Sequence, residues 1–229
     1  MYNVGGAGIN SYTFTGLTGA QTAGNCNVAV LAYGAASSAI PPTSFTDSAG
    51  NQYILAFWFA PNTSPYLYVY VYFCAVIKAS GAGNAVTVNW GSNINYPQLN
   101  FLEIAGASKS APIDIATAGY TYVTGGGGST NSVAPSFVTT FANELICGTW
   151  VQNFNGGGQT FTGAPWVLPY AAAQWMLVDP TPSAAGTATP SATMNWSGYG
   201  ASAIGVSFGI VPEPSHIVYP SDAVFYGMT

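Results

Sequence analysis

Charged side chains are almost absent from this sequence. Of its 229 residues, seven are acidic and two are basic, and none is arginine. A typical soluble domain carries about a quarter charged residues. Two lysines, Lys78 and Lys109, cannot form the basic surface that displaces counterions from a nucleic acid, so we predict no nucleic-acid partner. Because so few charges give little electrostatic repulsion between copies, we expect one of two outcomes: the chain covers much of its surface in an assembly, or it stays soluble through Ser, Thr, Asn and backbone amides.

Long apolar runs and a secretion leader are also missing. No apolar stretch reaches the about 18 residues of a membrane-spanning helix, so we predict no membrane span. Met1-Tyr2-Asn3 opens without the basic and apolar regions of a signal peptide. We expect either a processed start or a protein that assembles without the secretion machinery, as a virion protein does.

Cysteine is scarce. Cys26, Cys74 and Cys147 are three in number and far apart, which fits neither a disulfide framework nor a zinc motif. Since an unpaired cysteine behaves as a small apolar residue, we expect buried thiols. A single bridge between two strands is the alternative. We predict no cofactor.

Apolar and aromatic residues are abundant. They include 15 Tyr, 12 Phe and 6 Trp, and apolar residues make up 49% of the chain, which provides a core and argues against disorder. Short β-branched and aromatic runs alternate with turn residues, and helical periodicity is nearly absent. The predicted strands are Val28–Tyr33, Tyr53–Phe59, Leu67–Ile77, Ala85–Trp90, Leu99–Ala105, Glu144–Val151, Ala173–Val178 and Ala203–Ile210. We therefore predict an all-β, jelly-roll-like, two-sheet antiparallel sandwich over 1–211, with a short C-terminal extension over 212–229.

Five short motifs occur in order along the chain. The motifs cover roughly residues 20 to 211. They are Thr46-Asp47-Ser48-Ala49-Gly50-Asn51-Gln52-Tyr53, Tyr72-Phe73-Cys74-Ala75 with Gly83-Asn84-Ala85-Val86-Thr87-Val88, Leu102-Glu103-Ile104-Ala105-Gly106, Pro112-Ile113-Asp114, and Phe137-Val138-Thr139-Thr140 with Asn143-Glu144-Leu145-Ile146. Their order resembles that of a class of jelly-roll domains found in bacterial surface proteins and phage structural proteins. The resemblance implies the fold, and it implies no catalytic activity.

The candidate catalytic patterns favour structural roles. Gly205-Val206-Ser207-Phe208-Gly209 matches a hydrolase nucleophile elbow, but it lies inside a predicted strand, whereas an elbow joins a strand to a helix. The only histidine, His216, follows closely. Two distant carboxylates could meet as in a glycosidase, and loop carboxylates could bind calcium. We expect Asp47 and Asp114 to cap backbone amides and Glu103 and Glu144 to accept hydrogen bonds, so we predict that the protein is not an enzyme.

A tyrosine ladder is the first candidate interaction surface. In the run from Tyr66 to Phe73, side chains alternate between the two faces of a strand. Four tyrosines share one face: Tyr66, Tyr68, Tyr70 and Tyr72. If exposed, they would offer rigid amphipathic area to another subunit or to sugar rings. The alternative is that the sandwich covers both faces.

The C-terminal segment is the second candidate. It begins with prolines that interrupt sheet pairing and then holds two short strand-like runs. Its candidate interaction residues are Ile217, Val218, Tyr219, Val224, Phe225 and Tyr226. We expect this arm to add a strand to a neighbouring subunit. The alternative is that it folds back over its own sandwich.

Together these features predict a non-enzymatic structural subunit of an extracellular, cell-surface or virion assembly: a filament, surface layer, capsid decoration or fibre. Its partners would be copies of itself, with other virion or cell-surface proteins beside them. The alternative is a carbohydrate-binding or adhesive module that binds glycans through exposed tyrosine and tryptophan.

Overall fold

The structure is a computed structural model that describes residues 7–17, 19–35, 40–60, 66–124, 137–152, 160–162, 176–178, 186–188, 193–195, 202–214 and 223–226. Across these ranges the fold is all-β without a helix, as the sequence predicts, and its strands pair antiparallel. The strands are β1 (Ala7–Leu17), β2 (Cys26–Ala35), β3 (Pro42–Asp47), β4 (Ile54–Phe59), β5 (Tyr66–Cys74), β6 (Asn84–Ile104), β7 (Ile113–Thr124), β8 (Phe137–Thr139), β9 (Leu145–Gln152), β10 (Thr160–Thr162), β11 (Met176–Val178), β12 (Gly186–Ala188), β13 (Thr193–Asn195), β14 (Ser202–Ile210) and β15 (Ala223–Tyr226).

The chain divides into two compact units. The first consists of Met1–Ala105 together with Ala223–Thr229, and the second is Gly106–Asp222. The last strand, β15, is thus part of the first unit although the whole second unit precedes it in the chain. The predicted domain over 1–211 with an extension over 212–229 remains a prediction.

The first unit is organised around β6, a strand of 21 residues. Its first half pairs with β1 and β3, and its second half pairs with β2 and β15. From β2 the sheet continues through β5 to β4. As a result β6 contributes to two layers, a three-stranded layer β1-β6-β3 and a five-stranded layer β15-β6-β2-β5-β4.

Aromatic side chains fill the space between these two layers. Phe45 on β3 stacks on Tyr72 of β5 with ring centroids 4.5 Å apart. Tyr33 on β2 meets Trp90 of β6 edge-on at 5.6 Å. Such pairs contribute beyond the area they bury, about 0.5–1.5 kcal/mol each. Aliphatic residues from the same strands complete this core, which gives the first unit the packing of a β-sandwich.

The second unit contains a four-stranded sheet in the order β11-β9-β14-β7, and two further strand pairs, β10-β13 and β8-β12. On β14 the large residues Ile204, Val206, Phe208 and Ile210 alternate with small residues and are all fully buried. The small residues include Ser207, which lies mid-strand and is buried. The prediction of a strand at this hydrolase-like pattern is therefore confirmed.

Candidate functional site

The predicted tyrosine ladder lies in the core of the first unit. Tyr68, Tyr70 and Tyr72 are 1%, 2% and 8% exposed and belong to the aromatic cluster between the two layers. Tyr70 stacks on Tyr33 at 5.7 Å. The sandwich therefore covers these three side chains, as in the alternative to an exposed ladder, and they are not accessible to another subunit or to a sugar. The side chain of Tyr66 lies outside the described residues.

Of the C-terminal segment over 212–229, the structure describes residues 212–214 and 223–226. Residues 223–226 form β15, which pairs with β6 of the same chain from Ala223 opposite Ile104 to Tyr226 opposite Phe101. Val224 is about half exposed. Within one chain, the segment thus folds back, as the alternative expects, and strand addition to a neighbour remains a proposal. Ile217, Val218 and Tyr219, and the side chains of Phe225 and Tyr226, lie outside the described residues.

The exposed apolar residues of the first unit are concentrated on β4. Ile54, Leu55 and Trp58 are 59%, 42% and 49% exposed. Leu55 lies opposite Tyr72, and Trp58 lies opposite Tyr70 and stacks on it at 5.8 Å, so both extend the core face to the end of the sheet. The strand carries no charged residue.

β4 and β15 are the two opposite edges of the five-stranded layer. Within the described ranges, β4 pairs with β5 alone and β15 with β6 alone. On each of these strands, alternate backbone N–H and C=O groups point away from that partner, as they do at the edge of any sheet. The sequence predicts a strand at β4 but cannot show that it lies at an edge, because edge position depends on how distant strands pair.

Asp47 is the centre of a polar cluster in the first unit. The Asn51 amide N–H donates to its Oδ1 at 2.9 Å, which is the capping predicted for this residue. Its Oδ2 accepts from Asn51 Nδ2, Tyr53 OH and Asn84 Nδ2 at 2.7, 2.9 and 3.1 Å. Burial alone would raise the pKa of Asp47, but these hydrogen bonds outweigh it and lower the pKa below its usual value.

The turn after Asp47 explains the first motif of the predicted series. Gly50 has a φ of 74°, a left-handed conformation that glycine adopts without a Cβ penalty. Asn51 then donates back to Asp47 and accepts the Lys78 amide N–H at 2.8 Å. The motif thus forms a turn that delivers backbone and side-chain donors to one carboxylate.

A carboxyl pair lies in the second unit. Asp114 on β7 and Glu144 just before β9 are both buried, and Asp114 is a direct neighbour of the Glu144 carboxyl group. Each accepts a backbone N–H from the turn before β9: Thr140 donates to Asp114 at 3.1 Å and Phe141 to Glu144 at 2.7 Å. The predicted hydrogen-bonding roles are confirmed, while the pairing of the two acids is new.

A pocket of about 730 Å³ opens beside this pair. Asp114 and Glu213 contribute carboxylates to its wall, and Glu213 accepts the Lys109 amide N–H at 2.8 Å. Among the described residues no group of three or more His, Cys, Asp or Glu side chains is placed to hold a metal ion. Glu103, in the first unit, is buried and accepts hydrogen bonds from the Thr22 amide and Asn25 at 3.0 and 2.6 Å.

The three cysteines are buried and none forms a disulfide, as expected from their spacing. Burial raises the pKa of the Cys147 thiol to about 12, which keeps it unreactive at neutral pH. The described part of the chain contains no helix with the length and apolarity that a membrane crossing requires.

Comparisons with known proteins give no relative from which a function could be transferred. No protein-family model matches the chain, and no curated protein or solved structure matches it.

Proposed function

We propose that the protein is a structural subunit that associates with copies of itself through the edges of its five-stranded layer. The observation that carries this proposal is the exposed, uncharged edge strand β4, with Ile54, Leu55 and Trp58 at its surface. Soluble monomers usually protect such an edge with lysine, proline or a covering segment, because an open strand pairs readily with another chain.

The composition supports the same role. With seven acidic and two basic residues in the chain, copies approach one another with little electrostatic opposition. The one irregularity on β4 is a shift in register between Leu55 and Phe57, which bends the strand but leaves apolar residues on both sides of the shift.

The position of β4 and β15 at opposite edges of the layer, within the described residues, favours a head-to-tail contact. β4 of one copy can pair with β15 of the next, which extends the five-stranded layer across the junction. Since β4 and β15 are different surfaces, this contact is heterologous, and unless its rotation closes a ring it produces an open filament. A contact between β4 and β4 would instead give a closed dimer.

The setting that fits such a subunit is an extracellular filament, a cell surface or a virion. The motif series that resembles jelly-roll domains of bacterial surface and phage structural proteins supports these settings. A non-enzymatic role is part of the proposal. The alternative of a glycan-binding module loses support from the burial of the tyrosines and depends on Trp58.

A substitution at the β4 edge tests the proposal. In Ile54→Lys, a charge at an exposed edge position should block strand pairing and leave monomers, because each junction would bury an unpaired charge. The matched control is Val76→Lys, since Val76 is 50% exposed but lies outside the strands. Sedimentation velocity and electron microscopy over a concentration series provide the measurement.

We expect the wild type and Val76→Lys to form filaments and Ile54→Lys to remain monomeric. Deletion of residues 223–229 distinguishes the two geometries, because it abolishes a β4–β15 filament and leaves a β4–β4 dimer intact. A wild type that stays monomeric at every concentration would refute self-assembly. In that case glycan binding that is lost in Trp58→Ala would establish the alternative.

A further inference from the structure

Glu144 lies in a position that cannot easily hold a negative charge. Its side chain is fully buried, and Phe141 donates a backbone N–H to its Oε1 at 2.7 Å. Its Oε2 has no hydrogen-bond donor. That oxygen packs so closely on β14 that a Cβ added to Gly209 would lie 2.0 Å from it. Because a buried carboxylate oxygen without a donor costs free energy, the surroundings favour a protonated acid.

A second acid adjoins the Glu144 carboxyl group. Asp114 is 5% exposed, its Oδ2 accepts the Thr140 amide N–H at 3.1 Å, and its carboxyl group adjoins that of Glu144. If both acids were ionised, two negative charges would face each other away from water. One proton between them converts this repulsion into a hydrogen bond, as occurs in carboxyl dyads.

We propose that Asp114 and Glu144 share a single proton in the folded chain, and that loss of this proton releases the turn Thr140–Asn143 that both carboxyl groups hold. The turn is attached by two backbone N–H groups, one to each acid. Repulsion between the two carboxylates would therefore pull its two attachment points apart. This pH-dependent release of the turn does not depend on the proposed self-association of the protein.

The elements around Glu144 bring few other ionisable groups to it. β14 and β8 carry none, and β9 carries the buried thiol Cys147. On β7, Tyr120 and Tyr122 lie six or more residues beyond Asp114, which is about 20 Å along a strand. Glu213 lines the pocket beside Asp114 and is engaged by the Lys109 amide.

The pH range follows from the direction of the shift. Burial, together with the neighbouring Asp114, raises the pKa of Glu144 from 4.5 to about 7. The folded chain thus holds a proton that the unfolded chain has released. Its stabilising contribution is complete below about pH 4.5, decreases as the pH rises towards 7, and is absent above 7.

The experiment compares thermal unfolding of the full chain with Glu144→Gln from pH 5 to pH 8. In the wild type, the ratio of folded to unfolded protein should fall by up to about tenfold per pH unit between 5 and 7 and then level off. Glu144→Gln should lack this slope, because its amide donates to Asp114 at every pH. Glu213→Gln, the same change of carboxylate to amide at a partly exposed acid that accepts the Lys109 amide N–H, should keep the wild-type slope.

Two measurements on the wild type keep the proposal testable if Glu144→Gln fails to fold. Infrared spectra should show a protonated carboxylic acid at pH 6 that disappears by pH 8. The Thr140 and Phe141 amides should lose protection from hydrogen exchange over the same pH interval. Their exchange rates should increase by more than the pH-dependent increase that every amide shows. Equal slopes in the wild type and Glu144→Gln, or no carboxylic acid that titrates near neutral pH, would overturn the proposal.

Discussion

Asp47 in the first unit and Glu144 in the second are both buried in a chain that has almost no cations, but their surroundings shift their pKa values in opposite directions. In the first unit, four N–H and O–H donors surround Asp47 and keep it ionised. In the second, Glu144 receives one backbone N–H, faces Asp114 and has its pKa raised to about 7. The number of donors decides which acid carries the charge.

The difference has a structural origin. Asp47 lies at the start of a turn whose backbone and Asn51 side chain supply donors locally, and Tyr53 and Asn84 add two more. Glu144 lies against the backbone of β14 at Gly209, where no donor is directed at its second oxygen. A buried acid that stays ionised therefore needs a turn that supplies several donors, whereas a buried acid that stays neutral needs only close packing and a bound proton.

The largest expected effect is that of Asp47→Asn. The new amide group places an NH₂ among donors, so at least one hydrogen bond is lost and two donors face each other. We expect a loss of about 3 kcal/mol in the free energy of unfolding at pH 7, measured by urea denaturation. Because the pKa of Asp47 is lowered, its contribution to stability is present above pH 3.8 and is lost as the pH falls below it. The difference in free energy of unfolding between the wild type and Asp47→Asn should therefore become smaller in acid. An equal difference in free energy of unfolding at pH 7 and pH 2.5 would show that the four donors do not stabilise the ionised form of Asp47.

Gly209→Ala tests the close packing of Glu144. The added Cβ would lie 2.0 Å from Oε2 and 3.0 Å from Cδ of a side chain that is fully buried. We expect a loss of about 2 kcal/mol, measured by thermal unfolding. Gly81→Ala is the matched control, because no atom lies within 4 Å of its added Cβ, and it should be near neutral. In a Glu144→Ala background, Gly209→Ala should lower the free energy of unfolding by much less. A decrease of the full about 2 kcal/mol in that background would show that another contact is responsible.

Tyr53→Phe removes one donor from Asp47 and leaves the rest of the cluster in place. The hydroxyl donates to Asp47 Oδ2 at 2.9 Å and accepts Asn27 Nδ2 at 3.0 Å. We expect a loss of about 1.5 kcal/mol and a rise in the pKa of Asp47, visible as acid unfolding at a higher pH. Unchanged acid unfolding would show that the remaining three donors suffice.

The sequence predicts the strands whose apolar pattern is strong. The structure has β2, β4, β5, β9 and β14 close to the predicted bounds. It also joins the predicted strands Ala85–Trp90 and Leu99–Ala105 into β6, through residues 91–98, for which the sequence predicts no strand. β1 and β3 are rich in Thr, Ser and Asn, and only pairing with β6 makes them strands.

The candidate sites were harder to predict than the strands. Alternation places four tyrosines on one face of β5, but it does not tell which layer covers that face. The roles of Asp47 and Asp114 as caps could be predicted, because proline and turn residues lie beside them. Asp114 on β7 and Glu144 just before β9 lie 30 residues apart, and the sequence carries no local signal that they meet.

The placement of β15 has a consequence for biosynthesis. This strand completes the layer of the first unit at Phe101–Ile104, yet the ribosome adds it only after all of Gly106–Asp222. At typical elongation rates of about 5–20 residues per second, that edge of β6 waits on the order of 10 s for its own partner. During translation we therefore expect the first unit to accept any β15 strand nearby, including one from a chain already finished on the same message.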